Sequence, residues 1–246
     1  MRAMILAAGL GTRLRPLTDS HPKALVEIGG CTLLEITLAR LREFGIHEVV
    51  VNVHHFADAI VEYLDARQNF GMKIAISRED GLLLDTGGGL KKAAWFFAKD
   101  DEPFLLHNVD VISNIDLGAM AQFHSRHDAL ATLAVQQRES SRQLLFDEQG
   151  LLCGRRFERE QRSEVARQAA PVHALAFCGI HVVSPRLLNM MTEEGAFSII
   201  EMYLRLAGRD QRIVAYRADA AYWRDLGTPA SLAQAGEAIE RDELII

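Results

Sequence analysis

Three cysteines in 246 residues are too few and too scattered for a disulfide framework. Cys31, Cys153 and Cys178 share no short spacing of the kind that holds zinc, so free thiols in a reducing compartment are expected. Basic residues are not in excess: 27 Lys and Arg stand against 33 Asp and Glu, a formal charge of −6, which excludes an overall basic nucleic-acid binder. No stretch approaches the roughly 18 uninterrupted apolar residues of a membrane span. The opening Met-Arg-Ala-Met-Ile-Leu runs into Ala7-Ala8-Gly9 too soon for a signal peptide. A cytoplasmic protein is therefore expected, with neither nucleic acid nor membrane as partner. Repeats and low-complexity runs are absent, which excludes a solenoid or a flexible linker.

What remains is ordinary globular composition, 49% hydrophobic and 24% charged. Short apolar runs at 3–7, 48–53, 73–77, 103–109 and 131–136 alternate with amphipathic stretches at 33–44, 57–67, 88–98 and 117–126. Strands alternating with helices predict an α/β, Rossmann-like three-layer sandwich around a mixed, mostly parallel sheet. Thr32-Leu33-Leu34-Glu35 reads as a capping box opening the first helix, and Gly45 as its stop. The second half predicts a hairpin about Glu148-Gln149-Gly150, strands at 175–183, 213–216 and 221–224, and helices at 198–206 and 229–240. The charge-dense stretch 157–167 reads as a solvated excursion or mobile flap. One domain is expected over 1–246, with a nucleotide-binding half (1–135) and a small α+β extension (136–246).

Ligands of such sheets lie at the carboxyl ends of the strands. The first of those loops reads Ala8-Gly9-Leu10-Gly11-Thr12-Arg13-Leu14-Arg15-Pro16, then Pro22-Lys23. Glycines let the backbone approach a ligand and aim N–H groups at phosphate oxygens. Arg13 adds a planar fork, and Lys23 a compact cation. A dinucleotide fingerprint needs a third glycine where Leu14 stands, and a Walker loop needs Gly-Lys-Ser/Thr; neither is present.

Residues 6–23 resemble the signature loop of the sugar-1-phosphate nucleotidyltransferases. The resemblance continues in order through Gly29-Gly30, Val49-Val50-Val51-Asn52, Asp85-Thr86-Gly87-Gly88-Gly89, Asn108-Val109-Asp110 and Trp223-Arg224-Asp225-Leu226-Gly227-Thr228-Pro229. It implies Mg²⁺-dependent transfer of a nucleotidyl group from a nucleoside triphosphate to a sugar 1-phosphate, with uridylyl transfer favoured by the Asp85–Gly89 run. Guanylyl or thymidylyl transfer to a hexose 1-phosphate is the alternative. Two rivals of other classes are a regulatory protein that binds nucleotide without turning it over and a dinucleotide-dependent oxidoreductase. By the same resemblance Asp110 and Asp225 hold the metal, and Arg13 and Lys23 are catalytic. Ala8, Gly9, Gly11, Thr12, Asp85, Thr86 and Gly87 meet the nucleotide, and Asn108 and Gly179 the sugar.

Several readings stay open on the residues. Asp85 could equally cap the following helix with Thr86, and the glycine run and Gly179 could serve close packing. The family's Glu-Lys-Pro sugar segment is missing where Leu151-Leu152-Cys153-Gly154-Arg155-Arg156-Phe157-Glu158 stands. Arg142 or Arg156 are the candidates for the cation it would have supplied. His54-His55 read as loop residues and His107 as a core residue, because a phosphate acceptor is already ionised near neutrality and needs no general base. The oligomeric state is not legible.

Overall fold

The first strand shows how the sheet is built. In the computed structural model, which describes residues 1–241, Ala3 and Ile5 enter one apolar cluster while Met4 enters another. Val49 and Val51 likewise oppose Val50, and Leu105 opposes Leu106. Period-two alternation with apolar residues at every position is the pattern of strands covered on both faces.

In chain order the elements are β1 (Ala3–Leu6), β2 (Glu27–Ile28), β3 (Cys31–Thr32), α1 (Leu33–Glu43), β4 (Glu48–Val53), α2 (Ala57–Ala66) and β5 (Lys73–Arg78). Then come α3 (Asp85–Lys92), β6 (Phe104–Asn108), β7 (Val111–Ser113), α4 (Leu117–Arg126), β8 (Ala131–Gln136), β9 (Arg142–Phe146) and β10 (Leu152–Phe157). The chain closes with β11 (Arg162–Val165), β12 (His173–Val183), α5 (Ile199–Ala207), β13 (Ile213–Arg217), β14 (Trp223–Asp225) and α6 (Pro229–Glu240). Side chains of α1, α2, α4 and α6 join the cluster on one face, and those of α3 and α5 the cluster on the other.

The main sheet runs β11-β10-β9-β12-β6-β1-β4-β5, with β8 beside β12 and β13 beside β8. Strands β6, β1, β4 and β5 are mutually parallel, as are β8 and β13. β12 enters antiparallel to β6, β8 and β9, so the mixed α/β sandwich expected from the sequence is observed. Its register against β8 slips between Phe177 and His181, where Gly179 takes φ +73°. That is a bulge, and glycine is there because an L side chain resists this backbone.

Four local expectations are corrected. Residues 157–167 are not irregular: β10 runs to Phe157, β11 pairs antiparallel with it, and Arg155 and Arg162 bond Glu164 at 2.6 and 2.8 Å. Glu164 is a cross-strand partner of Arg155, while Arg159, Glu160 and Arg162 stay exposed, as a solvated stretch would. The helix expected from residue 88 starts at Asp85, so the glycines lie inside it, and it stops at Lys92 before a separate 3₁₀ turn, Ala94–Phe96. Thr32 does cap α1, accepting from the Glu35 amide at 3.1 Å, but the Glu35 carboxylate turns to Tyr63 and Arg67 and closes no box. Finally β7 was not foreseen; it pairs with β14 in a separate two-stranded sheet. Among the described residues no helix is long and apolar enough to cross a membrane.

Candidate active site

The glycine loop leaves β1 with its backbone tied to the neighbouring strands. The Ala7 amide donates to Asn52 Oδ1 at 2.7 Å, and Asn52 Nδ2 donates to Glu79 Oε1 at 2.6 Å. Glu79 Oε2 in turn accepts from the Leu84 amide at 2.8 Å, so one run of bonds joins the loop to the start of α3. Gly89 leaves room for it: a Cβ there would stand 2.7 Å from Glu79 and 2.8 Å from Asn52. Gly11 takes φ +64°, and a Cβ on it would come within 2.9 Å of Thr18 and 3.1 Å of Lys23. The loop therefore closes on Lys23 only because residue 11 has no side chain.

Lys23 reaches the Asp110 carboxylate in an ion pair that is largely sheltered from water. Asp110 lies between β6 and β7, and opposite Val111 in the β7–β14 ladder stands Asp225. The Leu226 amide donates to the Asp110 carbonyl at 2.8 Å. Two aspartates 115 residues apart in sequence are thus neighbours across one short ladder. Asp225 Oδ1 accepts from the Gly227 amide at 2.9 Å and lies 3.7 Å from Arg13 Nη2. Each carboxylate faces a cation.

Two cavities adjoin here. One, of about 330 Å³, is lined by Ala8, Gly9, Lys23, Asn52, Asp85, Thr86, Asn108 and Asp110. The other, of about 730 Å³, is lined by Arg13, Asn108, Arg138, Arg142, Arg155, Gly179, Trp223 and Asp225, among others. Asn108 belongs to both, and a Cβ on Gly179 would press on its Nδ2 at 2.8 Å. Small-molecule sites of this size, with a few converging polar groups, are what a cleft at the strand ends predicts.

Most of the residues singled out from the sequence therefore come together on these walls. Gly11 and Thr12 stay on the loop without lining either cavity. Gly87 turns away: its amide donates to the Phe197 carbonyl at 2.9 Å, and a Cβ would meet the Phe197 ring at 2.3 Å. Its role in the structure is to let α3 approach the segment before α5. Asp85 is not the cap of α3, since Leu84 takes that position; its Oδ1 instead accepts from the Thr86 amide at 2.6 Å, at φ +58°. Arg142 lines the second cavity, whereas Arg156 does not and pairs with Glu158 at 3.5 Å.

No histidine lines either cavity. His54 Nδ1 lies 2.6 Å from the Glu79 carbonyl. His107 is buried, its Nδ1 bonded to the Asn108 carbonyl at 2.8 Å and its Nε2 without a partner, and burial lowers its pKa to about 4. It is a neutral core imidazole at physiological pH. Among the described residues no three His, Cys, Asp or Glu side chains cluster around a point that could hold a metal. Asp110 and Asp225 offer oxygen donors only, which suits a hard cation that completes its shell from phosphate and water.

Sequence reasoning missed two features of the site. The Asn52–Glu79 pair carries a readable signal, a polar residue ending an apolar strand, but nothing in the sequence said the two would meet. Arg138 carried no signal at all.

Known proteins support the same reading. The nucleotidyl transferase family model matches residues 2–144. An N-acetylmuramate α-1-phosphate uridylyltransferase of Caulobacter vibrioides is 34% identical over 235 residues, covering 92% of each chain. A mannose-1-phosphate guanyltransferase of Yarrowia lipolytica is 30% identical over 233 residues, 93% of this chain but 61% of its own length. In architecture, an inositol-1-phosphate CTP transferase from T. maritima superposes with a TM-score of 0.77 at 16% identity, over 98% of this chain and 95% of that one. With the family model spanning more than half of the chain and a relative matched almost end to end, this chain belongs to the sugar-1-phosphate nucleotidyltransferase family.

Proposed function

We propose that the protein transfers a uridylyl group from UTP to N-acetylmuramate 1-phosphate, releasing pyrophosphate, with Mg²⁺ held by Asp110 and Asp225. The observation that carries this reading is the junction of the two cavities. Lys23 and Asp110 stand on one side, Arg13 and Asp225 on the other, and Asn108 is shared. The choice of base and acceptor rests on the uridylyltransferase matched over 92% of both chains.

An oxygen of the acceptor phosphate attacks the α-phosphorus, a new P–O bond forms, and the bond to pyrophosphate breaks in line with it. No covalent enzyme intermediate is required, so the protein's task is to position two polyanions and offset charge as it moves. Ala8 and Gly9 present bare backbone to the nucleotide beside Thr86. Gly11 and Thr12 amides and the Arg13 guanidinium hold the departing pyrophosphate, and Lys23 stabilises charge at the α-phosphate. Asp110 and Asp225 would hold Mg²⁺, whose divalent charge would offset the negative charge of the phosphates.

Pyrophosphate release tests this directly. UTP, dTTP, GTP and CTP are each mixed with N-acetylmuramate, glucose and mannose 1-phosphates in Mg²⁺. The highest kcat/KM is expected for UTP with N-acetylmuramate 1-phosphate. A higher value for GTP with mannose 1-phosphate would move the assignment to guanylyl transfer, the activity in the name of the Yarrowia relative. Binding of UTP without release from any pair would leave the non-catalytic reading standing.

A further inference from the structure

The family's sugar segment is missing its lysine here, and the structure offers four arginines on the acceptor cavity, Arg13, Arg138, Arg142 and Arg155. Two are paired with carboxylates, and a third is open to solvent. Arg13 faces Asp225. Arg155 is neutralised by Glu164 at 2.6 Å and by Glu201 at 3.6 Å. Arg142 opens β9, which lies between β10 and β12, and it is exposed to solvent, where a bulk-hydrated cation needs no partner.

Arg138 differs from all of them. Its guanidinium carbon lies 3.7 Å from the centroid of the Trp223 ring, and its Nη2 donates to the Phe177 carbonyl at 2.9 Å. Its Nε is buried and has no partner. Among the described residues no carboxylate comes within salt-bridge distance of it. Cys178 nearby gives no counter-charge, because burial pushes its thiol up to about 12. The platform is itself fixed: Trp223 Nε1 donates to the Cys178 carbonyl at 2.7 Å, and alternation along β14 puts Trp223 on the same side as Asp225. The Asp225 charge acts on it only from beyond ion-pair distance, and a half-buried guanidinium so weakly compensated is costly. Laid flat on an indole, with Nη1 and Nη2 each donating to one main-chain carbonyl, of Glu139 at 3.5 Å and Phe177 at 2.9 Å, and each keeping a second N–H, it is shaped in advance for a phosphate.

We infer that Arg138 binds the phosphate of the acceptor sugar, taking over from the lysine that this chain lacks, with Trp223 holding its plane. The inference rests on the second cavity being the sugar 1-phosphate site. Arg138→Met keeps the aliphatic stem and removes the charge. The KM for N-acetylmuramate 1-phosphate is expected to rise about 10- to 100-fold, the scale of a lost charged hydrogen bond, with the KM for UTP changed less than about twofold. Calorimetry with N-acetylmuramate 1-phosphate, in Mg²⁺ and α,β-imido-UTP, is expected to show the same loss without any turnover. Equal affinity of wild type and variant would overturn the inference. So would an equal rise in both KM values with acceptor affinity unchanged, which would mean that Arg138 acts by holding Trp223 and Asp225. Should Arg138→Met fail to fold, Arg138→Gln serves under the same criteria. A wild type that binds the acceptor but releases no pyrophosphate would sink the proposed reaction, while calorimetry on the variant still decides the role of Arg138.

Discussion

Lys23 and Asp110 keep only 12% and 13% of their side-chain surface in water, so each depends on the other as a counter-ion. Asp225, at 37%, is wetter and shares Arg13. The two aspartates are therefore expected to respond differently. Asp110→Asn and Asp225→Asn each lower kcat by about 10²–10³, the scale of losing a principal electrostatic stabiliser. Only Asp110→Asn also lowers the urea midpoint, because it strands the Lys23 ammonium in a sheltered place. Steady-state rates and urea titrations on both variants check this; near-normal turnover in folded Asp110→Asn would refute the metal assignment. Lys23→Ala belongs on the same scale of kcat. Arg13, Lys23 and Asp225 were legible because each sits in a motif with glycine or proline close by, and Asp110 because it is a carboxylate at the end of an apolar strand. Arg138 was not, since what makes it unusual is an indole ring 85 residues further along the chain.

The glycine run shows why helix α3 was misplaced by reading along the chain. Successive glycines disfavour a helix, so the sequence suggests a start no earlier than Gly88, within the run. Contact across the fold decides otherwise: a Cβ at Gly87 would meet the Phe197 ring, and one at Gly88 would stand 2.4 Å from the Gly195 carbonyl. Close approach outweighs local propensity. Gly87→Ala is accordingly expected to destabilise the protein by about 1–3 kcal/mol, the usual penalty of overpacking, read as a lower urea midpoint at unchanged m. A midpoint equal to or above wild type would show that Phe197 can step aside. Strands β7 and β14 were hard to place for a different reason. Three residues each are too short to display an alternation, and only their mutual pairing makes them strands.

Across the whole molecule, burial governs three histidines at once. It lowers the pKa of His107 and His124 to about 4 and that of His181 to about 3, with His107 adding to the last effect. Unfolded, each takes up a proton near pH 6.5. Their contribution to stability is therefore complete above that pH and is lost as the pH falls from 6.5 through 4. At pH 5 unfolding is expected to take up about three protons at these sites, seen as an unfolding free energy that drops steeply between pH 6 and 5. A flat profile there would mean the imidazoles are already charged when folded. The parallel half, β1 to β6, was legible because doubly covered strands read as plain apolar runs. The antiparallel half was less so, because half-exposed strands such as β11 carry charge that looks like solvent-facing loop.

The pairing of β14 with β7 also sets an order of events during synthesis. A ribosome completes the glycine loop, Lys23 and Asp110 more than 100 residues before it reaches Asp225. The second carboxylate emerges only with Trp223–Asp225, and the ladder that seats it cannot form sooner. On the proposed reaction, a chain cut short before Trp223 would carry the loop cations and Asp110 but not Asp225, and would release no pyrophosphate.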